Sequence, residues 1–113
     1  MEKLAIVGVG QTRHERMKKN ETVADIVYEA VTSALEDAEM TISQIDNVVT
    51  VSNDFWDGRT ISSMAVMDAS GAYGKNVSTV EGDGAFGAVY GCMRIWSGSF
   101  GTTLVVAHTK GSE

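Results

Sequence analysis

Glu81-Gly-Asp-Gly-Ala-Phe-Gly-Ala-Val-Tyr-Gly-Cys-Met-Arg-Ile-Trp-Ser-Gly98, followed by Thr102-Thr-Leu-Val-Val-Ala-His108, is the stretch that decides the fold. Ala85 to Trp96 is apolar nearly all round, and a helix without a polar face is expected to be buried on all sides. Ser97-Gly98 supplies a glycine stop. Asn76-Val-Ser-Thr-Val80 before it alternates like a short strand, and Thr102 to His108 reads as another. A strand, a buried helix and a further strand are the crossover of an α/β layer protein.

Upstream the same grammar repeats. Leu4-Ala-Ile-Val-Gly-Val9 is a β-rich apolar run ending at Gly10, suited to a strand covered on both faces. Thr22 offers a hydroxyl N-cap with Asp25 three residues on, close to a capping box. Behind it Val23, Ile26, Val27, Ala30, Val31, Ala34, Leu35 and Ala38 make one apolar helical stripe, with Asp25, Glu29, Glu36 and Asp37 on the wet side. Thr41 to Asp46 is a connector, and Val48-Val-Thr-Val51 is a strand. Thr60 to Ala69 reads as a helix, with Ile61, Met64, Ala65 and Met67 inward. The predicted order is β-α-β-α-β-α-β.

The 113 residues are 43% hydrophobic and 21% charged, the profile of a soluble globular chain. No stretch approaches the roughly 20 apolar residues of a membrane span, and the start has no signal-peptide pattern. One cysteine, Cys92, excludes an internal disulfide; a cytoplasmic location is the expectation. The net charge of −6 argues against nucleic-acid binding. Arg13-His-Glu-Arg-Met-Lys-Lys19 is a local basic exception, either a solvated loop or a surface for the phosphates of an acidic ligand such as coenzyme A. The 12 glycines punctuate the periodic segments, no proline occurs, and no domain boundary or repeat is visible.

This order and several local sequences resemble the first part of the thiolase fold. Ala5-Ile-Val-Gly-Val-Gly-Gln-Thr12 looks like the first strand and turn of sterol-carrier-protein-type thiolases. Ala34-Leu-Glu-Asp-Ala38 followed by Ile42-Ser-Gln-Ile-Asp-Asn-Val-Val49 is similar to that family's next helix and strand. Glu81 to Gly98 with Leu104-Val-Val-Ala107 resembles the nucleophile elbow, buried helix and following strand at the centre of a thiolase half. The resemblance covers essentially the whole chain, residues 1–113, as an incomplete half of that α/β fold. The family's histidine and second-cysteine motifs would come later.

In that family a cysteine at the elbow, favoured as thiolate by the helix amino end, attacks an acyl-CoA thioester. Aligned without gaps, Glu81 stands where the cysteine would be; with a three-residue gap, Gly84 does. Neither is a thiol, so ordinary thiolysis is not expected. Cys92 lies about two turns, or roughly 12 Å, along the helix from Gly84. It reads as a packed core cysteine.

The remaining candidates are few. Gly8-Val-Gly10 after a strand suggests a dinucleotide fingerprint, but Arg13 stands where a third glycine belongs. Glu81 and Asp83 flank the buried helix, either as dipole partners and caps or as catalytic groups that move a proton in place of the thiol. A base is easier to build there than an acid. Asn53, Asp54 and Arg59, with Phe55 and Trp56, occupy a loop at the carboxyl end of a strand, where α/β sheets present ligands. They are candidate substrate-binding residues, and the aromatic pair also fits an interface. His14, His108 and the acidic residues lack metal-ligand spacing.

The resemblance thus implies a coenzyme A thioester as substrate and no covalently bound cofactor. Cysteine-lacking relatives include aldolases that cleave a β-hydroxyacyl-CoA in steroid side-chain breakdown and pair with a small protein carrying an OB-fold and a zinc ribbon. The alternative is a non-catalytic subunit that binds lipid or acyl-CoA, or completes another thiolase-like protein. The apolar helix and an open sheet edge lead to the expectation of a homo-oligomer or partner, with no membrane and no nucleic acid involved.

Overall fold

The computed structural model describes residues 3–12, 22–52, 67, 69–72, 74–82, 84–98 and 100–108. Helix α1 spans Val23–Ala38, and the Thr22–Asp25 capping box forms as its sequence suggests. The Asp25 N–H donates to Thr22 Oγ1 at 3.1 Å, while the Thr22 N–H donates to Asp25 Oδ2 at 3.0 Å. The helix stops where Glu39 turns left-handed and its N–H closes back on Glu36 and Leu35. A single 3-10 turn, Ile42–Gln44, leads into β1, Asn47–Ser52. Then come β2, Asn76–Glu81, helix α2, Gly84–Trp96, and β3, Thr103–Ala107.

The three strands form one parallel sheet in the order β2-β1-β3. The central strand β1 is buried along its whole length, as a continuous apolar run requires in a parallel sheet with both faces covered. Side chains alternate between the two faces. On one face Val23, Val27 and Val31 of α1 pack with Ile45, Val48, Ala72 and Val106 into the core. On the other face α2 lies directly on the sheet. A Cβ placed on Gly87 would run into Val51 and lie 3.0 Å from Val105 Cγ1, and one on Gly91 would lie 2.9 Å from Val105 Cγ2. These two glycines are the buried residues of α2, and they let its backbone reach the strands.

Two expectations are corrected. Leu4–Val9 belongs to no ladder. Its glycines instead bring the backbone against α1, where a Cβ on Gly8 would stand 2.7 Å from the Ala34 carbonyl and from Ala38 Cβ. The Val9 N–H donates to Asp37 Oδ2 at 2.9 Å, and Ile6, Val7 and Val9 remain exposed. A strand pattern needs an edge to pair with, and here the alanine stripe of α1 offers a closer seat than the sheet. The second correction concerns α2, which is not enclosed on all sides. Phe86, Val89, Met93 and Trp96, at helical spacing, are 66%, 61%, 57% and 40% exposed, because the sheet covers only the glycine face. Most of the helix expected at Thr60 to Ala69 lies outside the described residues.

Gly87→Val should destabilise the fold by about 1–3 kcal/mol, the usual cost of forcing methyl groups into a filled contact. Thermal melting should fall by several degrees, whereas Ala88→Ser on the exposed side should leave it almost unchanged. An unaltered melting temperature for Gly87→Val would mean that α2 does not touch the strands there.

Candidate functional site

Because the strands are parallel, their carboxyl ends meet along one edge, the place where open α/β sheets bind ligands. The face that packs on α1 changes character toward that edge. Its first row, Val77, Val48 and Leu104 in register, is apolar. In the next row Thr79 and Thr50 face each other, their hydroxyls 3.1 Å apart, beside Val106. The last row is Glu81, Ser52 and His108. Glu81 pairs with Ser52, and His108 follows the Val51–Ala107 bridge, its N–H bonded to the Val51 carbonyl at 3.0 Å.

A carboxylate, a hydroxyl and an imidazole therefore sit side by side on three neighbouring strands, roughly 4.8 Å apart from strand to strand. Ser52 and His108 are buried, at 5% and 8% exposure, and Glu81 is exposed. On the opposite face, the amino end of α2 begins at the same edge. Gly82, bonded through its N–H to the Ser52 carbonyl, takes φ +152°, a conformation essentially reserved for glycine, and turns the chain out of β2. A Cβ on Gly84 would lie 3.7 Å from that of Ala107, the residue before His108.

The amino end of the sheet is built differently. Asp46 Oδ2 accepts the N–H groups of Gly101 at 2.9 Å and Thr102 at 3.2 Å. Lys75 Nζ donates to the Ile45 carbonyl at 2.7 Å. Arg94 Nη2 donates to Asn76 Oδ1 at 2.7 Å, and its guanidinium lies 4.9 Å from the centre of the Phe100 ring. Every polar group named at this end ties one strand entry to a neighbour. It reads as structural stitching, which leaves the carboxyl edge as the candidate site.

Of the residues singled out from sequence, Glu81 is placed at this edge. Asp83, Asn53, Asp54, Arg59 and the basic stretch Arg13 to Lys19 lie outside the described residues. Sequence reasoning missed Ser52 and His108, since only strand register brings positions so far apart in the chain together. Cys92 is a free, half-buried thiol on α2. Among the described residues no His, Cys, Asp and Glu cluster could hold a metal ion, and no helix is long and apolar enough to cross a membrane.

No family model matches the sequence, and no curated protein matches it. Among solved structures the chain is similar to 3-oxoacyl-[acyl-carrier-protein] synthase III from Aquifex aeolicus VF5, with a TM-score of 0.70 and 17% identity. The match covers 90% of this chain and 34% of that one, so the chain spans about a third of the neighbour's length. At that identity the likeness establishes the fold, which is thiolase-like.

If the amino end is stitching alone, Asp46→Ala should cost about 1 kcal/mol for the lost acceptor and lower the melting temperature. Any ligand bound at the carboxyl edge should be held as tightly as before, which titration of the variant beside the parent protein would check.

Proposed function

We propose that this chain is part of a thiolase-like acyl-CoA enzyme that works without an acyl-cysteine. Its reaction is the aldol-type cleavage of a β-hydroxyacyl-CoA in lipid or steroid side-chain metabolism. The observation that carries this is the sequence at the entry to α2: aligned with the thiolase pattern, either Glu81 (without gaps) or Gly84 (with a three-residue gap) stands where the nucleophile would be, and neither bears sulfur. Cys92 is set well along the helix, on an element seated against the sheet by glycines. A retro-aldol step needs a base for the hydroxyl and donors for the enolate oxygen, not a covalent acyl-enzyme. The positive end of the helix dipole at the amino end of α2 suits the second requirement.

In this proposal Glu81 and Asp83 are acid–base candidates, while Asn53, Asp54 and Arg59 contact the coenzyme A thioester. The sterol-carrier-protein subtype, self-association and a small OB-fold and zinc-ribbon partner belong to the same proposal. A non-catalytic alternative, a subunit that completes another thiolase-like protein, is favoured by one observation, the exposed apolar stripe Phe86, Val89, Met93 and Trp96.

The test is to incubate the complete protein, with any zinc-ribbon partner, with a β-hydroxyacyl-CoA and separately with a β-ketoacyl-CoA plus free CoA. Release of an aldehyde or ketone from the first, no thiolysis of the second, and an unchanged rate in Cys92→Ala are expected. Thiolysis, or an acyl adduct on Cys92 by mass spectrometry, would overturn the proposal. Inactivity toward both substrates would favour the non-catalytic subunit.

A further inference from the structure

We propose that His108 and Ser52 form the proton-handling pair of the carboxyl edge: His108 accepts the substrate's hydroxyl proton, and Ser52 holds that hydroxyl in place. The inference deepens the aldol-cleavage proposal and rests on it. The supporting geometry is the last row of the α1-facing surface. Alternation along β1 and β3 puts both side chains on the same face, on adjacent strands, one step beyond the Val51–Ala107 bridge. Both are buried, in a parallel sheet whose interior is otherwise mainly valine. The Thr50–Thr79 hydroxyl pair in the row beneath extends the same polar strip inward.

Imidazole suits the task because it can take up and return a proton near neutral pH. Glu81 is less well placed. It is exposed and stands on the far side of Ser52, two strands from His108. The step balances without an external oxidant or reductant. The hydroxyl proton passes to the imidazole, and the O–H electron pair becomes the new C=O bond. The bond between the α- and β-carbons breaks, and its electrons remain on the α-carbon as the thioester enolate. That enolate takes the proton back from the imidazolium, which leaves a free aldehyde or ketone and a shortened acyl-CoA.

The experiment uses the complete protein and three readouts: acyl-CoA binding by calorimetry, kcat with KM for β-hydroxyacyl-CoA cleavage, and thermal melting. His108→Gln keeps hydrogen-bonding capacity but cannot shuttle a proton. It should lower kcat by roughly 10²–10⁴-fold with KM, binding and melting near those of the parent, and added imidazole should restore part of the rate to His108→Gly. Ser52→Ala should raise KM about tenfold, as expected for one lost hydrogen bond, and it carries the test if His108→Gln fails to fold. Cleavage by the parent with His108→Gln within a few fold of it, or with Ser52→Ala unchanged, overturns this assignment and leaves the aldol proposal standing. A parent protein that binds acyl-CoA without cleaving it, or binds none, overturns both.

Discussion

The parallel pairing of three strands is the constraint on which the rest depends. Ser52, Glu81 and His108 are widely separated along the chain, and only a common strand direction brings their strand ends to one edge. An antiparallel partner would have placed the amino end of a strand there instead. The parallel arrangement also requires a long return for each strand. One such return is α2, which has to lie against the face it crosses. Gly87 and Gly91 make that possible, because any Cβ at those positions would meet Val51 or Val105.

Much of this was legible in local sequence. The Thr22–Asp25 box and the valine stripe of α1 are decided by residues within a turn or two of one another, and they formed as their spacing suggested. The valine run Val48–Val51 likewise predicted a strand, and the structure buries it along its whole length. Leu4–Val9 carries an equally good strand pattern yet joins no ladder, because pairing depends on which edge is free and not on the run itself. The helix α2 illustrates the opposite difficulty. Its composition says that every side should be covered, but composition cannot say by what, and the sheet covers one side only.

The site was harder to see for the same reason. Glu81 drew attention through its place beside a helix start, a local cue. Ser52 and His108 had no such cue: a serine closing a strand and a histidine closing another are ordinary in isolation. Register turned them into neighbours. Strand alternation on its own could have suggested that each faces the α1 side, but which strands are adjacent is a tertiary fact.

The contrast between the two ends of the sheet bears on what the missing sulfur means. At the amino end, Asp46, Lys75 and Arg94 hold strand entries together. At the carboxyl end the polarity is concentrated on one face, while the amino end of α2 opens beside it on the other. In the aldol proposal the hydroxyl and imidazole of that row would take over the role of proton acceptor, on the face opposite the one where a covalent nucleophile would stand. Such a change requires no rebuilding of the sheet, because the helix dipole at the edge serves an enolate oxygen as well as it serves a thiolate.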